Sequence, residues 1–91
     1  METNEISVHQ VRVFHCLETA SDWLTNGEIA RAARVAPRTA RAITKKLVDL
    51  GVLDVAEVLP AHRYRMSPFA DKRNKAYLTR LRQAADVFKN G

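Results

Sequence analysis

The stretch RAARVAPRTARAITKK, residues 31–46, carries six bases (Arg31, Arg34, Arg38, Arg41, Lys45 and Lys46) and no acid. Guanidinium groups present a planar fork of N–H donors that matches phosphate oxygens or the O6/N7 edge of guanine, and ammonium groups act as point charges toward phosphate. A second basic cluster, His62, Arg63 and Arg65, lies in HRYRMS. The chemistry these residues offer is recognition of a polyanion. Other chemistry has no foothold. His9 and His15 stand six apart, a spacing that gives no shared helical face for a metal, and Cys16 adjoins one of them. Clustered metal ligands, a phosphate-binding glycine loop, a nucleophile elbow and a paired-carboxylate arrangement are all missing, so no catalytic residue, cofactor or metal is expected.

The charge is concentrated in blocks. The net +5 of the 91 residues comes from residues 31–48, six bases without an acid, and residues 63–82, seven bases against Asp71. Between them residues 49–62 hold Asp49, Asp54 and Glu57 and no Lys or Arg, and residues 1–30 are acidic. Two basic blocks separated by an acidic one favour a polyanionic partner over a uniformly solvated surface.

These residues need positioning elements, and the sequence marks them. Ser7, with Gln10 three residues on and Ile6 and Val11 at staple spacing, opens a first helix running to about Ala20. Its expected buried stripe is Val8, Val11, Phe14, Leu17 and Ala20. LTNGEI combines a Thr25 cap, Glu28 at the third helical position and a Leu24/Ile29 staple, so a short helix spans about 26–33. Pro37 disfavours helix at the residue before it and suits the first position of a new one, which places a break at Arg34–Ala36. A third helix then runs to Leu50, where Gly51 can adopt the left-handed closing conformation and Val52 supplies the apolar contact.

Within that third helix Ala40, Ile43, Leu47 and Leu50 fall in an arc of about 80°, the core face, while Arg38, Arg41 and Lys45 cluster within about 60° opposite it. No acid interrupts this face until Asp49. After Gly51 the period changes: VLDVAEVL and RYRMS alternate around a turn at LPAH, giving a β-hairpin with one basic face. From about Phe69 to Phe88 helical spacing returns, with Tyr77, Leu78, Leu81, Ala84, Ala85 and Phe88 as its apolar positions.

Taken in order, LTNGEIARAARVAPRTARAITKKLVDLGVLDV…HRYRMS resembles the winged helix-turn-helix domains of bacterial transcriptional regulators. The resemblance covers residues 24–67, and residues 7–20 fit the preceding helix. It departs from the common pattern in having Arg34 where a turn glycine is frequent and Ala36 where a capping serine or threonine is frequent. The fold class it implies is mainly α with a small β-hairpin: residues 1–68 form the winged helix-turn-helix unit and residues 69–91 a C-terminal helix, in one structural domain.

The resemblance implies sequence-specific binding of double-stranded DNA by a homodimer that regulates transcription. Arg38, Thr39, Arg41 and Ala42 are then the base contacts, Arg31, Arg34, Lys45 and Lys46 the phosphate contacts, and His62, Arg63 and Arg65 the wing. Tyr77, Leu78, Leu81, Ala85 and Phe88 are expected to pair with a second copy; the alternative is that they fold back onto the first helix of the same chain. A second class of function stays open on the residues alone, a winged-helix module whose basic helix docks an acidic protein. No small-molecule ligand is evident. METNEISV has no apolar core of a signal peptide and no run approaches the roughly 18 residues of a membrane span, so a cytoplasmic protein without membrane contact is expected. Cys16, the single cysteine, can form no intramolecular disulfide and is expected to be a small core residue.

Overall fold

A computed structural model describes residues 6–58 and 61–90. The elements run α1 (Val8–Thr19), β1 (Leu24–Thr25), α2 (Asn26–Ala33), α3 (Pro37–Asp49), β2 (Leu53–Val58), β3 (Ala61–Met66) and α4 (Ala70–Asn90). The hairpin turn expected at LPAH falls in part on Leu59 and Pro60, outside the described residues.

The local signals act largely as the sequence indicates. Ser7 Oγ caps α1 by accepting from the Gln10 N–H at 3.2 Å. The return arm of that capping box is missing, because the Gln10 carboxamide oxygen lies 3.4 Å from the Tyr77 hydroxyl on α4 instead. Around α2 the box is complete: Thr25 Oγ1 accepts from the Glu28 N–H at 3.2 Å, and a Glu28 carboxylate oxygen accepts from the Thr25 N–H at 2.8 Å. That hydrogen bond, chiefly, with Arg63 and Arg31 nearby, holds the Glu28 carboxyl below the usual glutamate range.

Arg34 ends α2 at φ 59°, ψ 47°, the one non-glycine with positive φ among the described residues. Left-handed geometry at a residue with a Cβ costs about 1 kcal/mol. Ala36 precedes α3 in extended geometry without a side-chain cap, and Pro37 takes the first helical position. At the far end of α3 the Val52 N–H reaches the Leu47 carbonyl at 2.9 Å and the Gly51 N–H the Val48 carbonyl at 3.0 Å. This pair of bonds is a Schellman closure, with Gly51 at φ 82°.

Two features are not local and escape the sequence reading. Leu24 and Thr25 form a third strand, pairing antiparallel with Tyr64 and Arg63, so the sheet order is β1-β3-β2. In α4, Asn74 leaves helical geometry and kinks the element. Its amide donates to the Leu50 carbonyl at 3.2 Å, and its Oδ1 accepts from the Tyr77 N–H at 3.3 Å. One side chain thus ties the end of α3 to the longer part of α4 and caps the latter.

The core gathers Val11, Val13, Phe14 and Leu17 of α1, Ile29 of α2, Ile43 and Leu47 of α3, Val52, Leu53 and Tyr64 of the hairpin, and Tyr77, Leu78 and Leu81 of α4. The α1 stripe needs correcting. Val8 is exposed and Ala20 half-buried, whereas Val13, outside the expected stripe, is fully buried. The reason is that α1 packs against α2, α3, β3 and α4 together, so more than one of its faces is covered.

Candidate nucleic-acid interface

On α3, Ala40, Ile43, Thr44 and Leu47 are buried, while Arg38, Arg41, Ala42, Lys45 and Lys46 are exposed. The helix therefore turns its bases outward as one face, with Thr39 half-buried at its margin. Arg31 and Arg34 are exposed on the flanking end of α2 and the turn. Among the described residues, Arg31, Arg34, Arg38, Arg41 and Lys46 have no carboxylate oxygen within 4.0 Å. The first turn of α3 holds no acid, and its N-terminus lacks a side-chain cap. Partial positive charge from the unsatisfied N–H groups and the charge of Arg38 therefore add at that end, where an anion is best accommodated.

The orientation of α3 is set by a polar relay that sequence reading missed. The Thr44 hydroxyl, fully buried in mid-helix, lies 2.8 Å from Asn26 Oδ1 and 3.1 Å from the carbonyl of Arg41. The Asn26 amide in turn donates to the Tyr64 hydroxyl at 3.4 Å. Three elements, α2, α3 and β3, are joined through Asn26. The signal was present: a threonine beside the arc of Ala40, Ile43 and Leu47 needs a partner when buried.

The hairpin divides the residues expected to form one wing contact. Side chains alternate along β3. His62 shares a groove of about 580 Å³ with Tyr64, Val55, Arg41, Lys45, Val48, Asp49 and Glu57, between the hairpin and α3. Arg63 and Arg65 occupy the opposite face. Arg63 pairs in register with Thr25 of β1 and with Ala56 of β2. Arg65 stacks 4.4 Å above the Trp23 ring and lies 4.0 Å from the Asp54 carboxylate, which Arg73 also reaches at 3.4 Å. Arg65 thus sits in a stacked and ion-paired cluster at the root of the hairpin, near β1, because its register partner is Asp54. Arg63 and Arg65 share one face of the hairpin, as the alternation of RYRMS indicates, while His62, grouped with them in the expected wing, lies on the other face beside α3.

Besides Arg65, two further residues of the expected basic surface have acidic neighbours. Lys45 Nζ is 3.4 Å from Asp49 Oδ2 one turn on, and His62 Nε2 is 3.7 Å from Glu57 Oε1 across the hairpin. The residues expected to pair with a second copy also separate. Tyr77, Leu78 and Leu81 are buried within the protomer, packed into the core with α1, because α4 lies along that helix; they are core residues, which corrects the expectation. Burial also pushes the Tyr77 hydroxyl up from its ordinary range. Ala85 is half-buried, and Phe88 is 47% exposed beside Val87 at 67%. Cys16 is half-buried, its thiol pushed up by desolvation. Among the described residues no group of three or more His, Cys, Asp or Glu side chains is placed to hold a metal ion, and no helix is long and apolar enough to cross a membrane.

Comparison with solved structures fits this geometry. A MarR-family transcriptional regulator from Silicibacter pomeroyi is 20% identical over 94% of this chain and 59% of its own, with a TM-score of 0.64. A protein from the thermoacidophilic archaeon Sulfolobus tokodaii is 19% identical over 94% of this chain and 86% of its own, with a TM-score of 0.68. The fold is a winged helix. The chain spans little more than half the length of the Silicibacter regulator. No family model and no curated protein matches the sequence. The winged helix is also found in an enzyme: human N-acetylserotonin methyltransferase is 21% identical over 71% of this chain and 21% of its own, with a TM-score of 0.56. Fold alone therefore does not fix function.

Proposed function

We propose that this winged helix binds double-stranded DNA sequence-specifically as a homodimer and regulates transcription by occupying an operator. The observation that carries the reading is the exposed face of α3. Arg38, Arg41 and Lys46 lie away from the core, without a carboxylate neighbour among the described residues, beside Arg31 and Arg34. An ordinary solvated helix intersperses acids for i,i+4 pairs, and here that pairing begins only with Lys45–Asp49 at the C-terminal end. The uncapped N-terminal end of α3 enters the major groove, which is about 12 Å wide. Arg38 and Arg41 read base edges, Ala42 and the half-buried Thr39 meet thymine methyl groups, and Arg31, Arg34 and Lys46 hold phosphates. That a Silicibacter pomeroyi protein of this fold is a transcriptional regulator supports the assignment. Nothing in the arrangement of the described residues calls for a catalytic role, and the protein acts in the cytoplasm.

The dimer is supported by apolar surface that the protomer leaves uncovered, Val87 and Phe88 on α4 and Val8 at 37% exposure on α1. Half-sites read by such a dimer lie about one helical turn, roughly 34 Å, apart.

The test is a mobility-shift titration against random and genomic duplexes. Binding at about 50 mM salt is expected, with log K falling against log salt at a slope of about −5 per protomer if six phosphates are engaged. No shift with any duplex at that salt overturns the reading. Retention of an acidic protein in place of DNA would favour a docking module.

A further inference from the structure

The groove between α3 and the hairpin does not match the rest of the basic face. Arg41, Lys45 and His62 line it. Arg41, at the α3 wall, has no carboxylate within 4.0 Å among the described residues, whereas Lys45 and His62 each have an acid within reach, Asp49 at 3.4 Å and Glu57 at 3.7 Å. The paired side chains are largely exposed, from 54% for His62 to 78% for Lys45. Exposed pairs of this kind add little to folding stability. Their placement matters at the interface instead. On α3, Asp49 falls within about 40° of Arg38 and Lys45 at 100° per residue, so an acid sits on the face that meets a polyanion. Glu57 does the same on the hairpin side. Each carboxylate repels an approaching phosphate, and exclusion of water from the groove strengthens that repulsion.

We propose that Asp49 and Glu57 are specificity-determining residues. By offsetting Lys45, and His62 when it is protonated, they keep phosphate out of the α3–hairpin groove, so that a duplex is held from the α2 and turn side and selected by Arg38 and Arg41. The inference rests on the DNA-binding reading and refines it, removing Lys45 and His62 from the residues that supply phosphate affinity. The electrostatic part of DNA binding is indifferent to sequence, so an acid that weakens it penalises wrong sites most, where base contacts do not compensate.

The experiment measures binding by fluorescence anisotropy over about 50–300 mM salt, for wild type, Asp49→Asn, Lys45→Gln, the double variant and Glu57→Gln. The probes are a random-sequence duplex and the best duplex that wild type selects from a random pool. Asp49→Asn is expected to bind the random duplex roughly fivefold more tightly. Its salt slope should steepen by about 0.9 as Lys45 gains a phosphate. Lys45→Gln alone leaves the slope unchanged, and the double variant returns to the wild-type slope. Glu57→Gln likewise tightens random-duplex binding, and in both acid variants the selected duplex gains less, so the specificity ratio falls. A slope flattened by Lys45→Gln alone, together with an Asp49→Asn variant indistinguishable from wild type, would overturn the proposal while leaving DNA binding intact. A wild-type protein that binds no duplex would instead overturn the function and this inference together.

Discussion

The Thr44 hydroxyl lies 2.8 Å from the Asn26 carboxamide oxygen, so the helix carrying Arg38 and Arg41 is fixed from its buried side by the first residue of α2. Replacing Thr44 by valine keeps the shape and leaves the Asn26 oxygen without its donor. A buried unsatisfied acceptor costs about 1–3 kcal/mol. Because Asn26 is only half-buried, a loss of about 1–2 kcal/mol is expected, or roughly 4–15 °C in Tm for a domain of this size. Thr44→Ser retains the hydroxyl and serves as the control. Urea denaturation in which the valine variant matches wild type would remove the relay from the account of α3 orientation.

Variants of Arg41 and Lys46 test the proposed division between base reading and phosphate contact. Arg41→Ala is expected to cost about 1–3 kcal/mol on the preferred duplex and to relax the base preference at one position. Lys46→Ala should weaken all duplexes alike and reduce the salt slope by about 0.9. Indistinguishable effects of the two variants on preferred and random duplexes would show that Arg41 meets only phosphate.

At Arg34 a stability gain and a binding loss are expected in the same variant. The left-handed backbone at φ 59° is easier for glycine, whose greater freedom in the unfolded chain offsets part of the benefit. Arg34→Gly should therefore raise unfolding free energy by about 0.5–1 kcal/mol and weaken duplex binding by the loss of one phosphate contact. A destabilised Arg34→Gly protein would mean that the arginine side chain holds the turn in a way its geometry does not reveal.

The Glu28 carboxyl lies below the usual glutamate range in the folded protein, because it accepts from the Thr25 N–H and faces Arg63 and Arg31. Its stabilising contribution is present above the unfolded pKa, about 4.3, and is lost as pH falls through the lower folded value. The stability advantage of wild type over Glu28→Gln should then be full at neutral pH and shrink on acidification below about pH 4. A difference that stays constant down to pH 2 would contradict the charged capping box.

Phe88 tests the proposed dimer. Its side chain is 47% exposed and adds little to the protomer core, so Phe88→Asp should retain the far-ultraviolet circular dichroism of wild type. Light scattering should show the mass halved. A dimer that persists in this variant would place its interface elsewhere.

Where the sequence was legible, the determinants were local. The bounds of α2 follow from Thr25, Glu28 and the break before Pro37, and the end of α3 follows from Gly51. Strand β1 was hidden because Leu24 and Thr25 have no alternation of their own and become a strand only through Tyr64 and Arg63, some forty residues on. The kink at Asn74 was hidden for a related reason. Helical spacing continues across it, and the carbonyl that Asn74 binds there is that of Leu50, the residue that closes α3. On α3, the burial pattern correctly turned Arg38 and Arg41 outward. The division of His62 from Arg63 and Arg65 follows from strand alternation alone, whereas the stacking of Arg65 on Trp23 required β1 to be in place.

The pairing of β1 with only part of β3 has a mechanical consequence. Tyr64 and Arg63 are gripped on both sides, by β1 and by β2, whereas His62 and Ala61 have β2 as their single neighbour. The hairpin is a cantilever clamped at its root. Any load on its outer rungs is resisted by one row of hydrogen bonds instead of two, so deflection grows toward His62 while Tyr64 and, through Asn26, α3 hold still. Displacement of the hairpin's outer rungs would therefore move the His62 wall of the α3–hairpin groove more than the Arg41 wall.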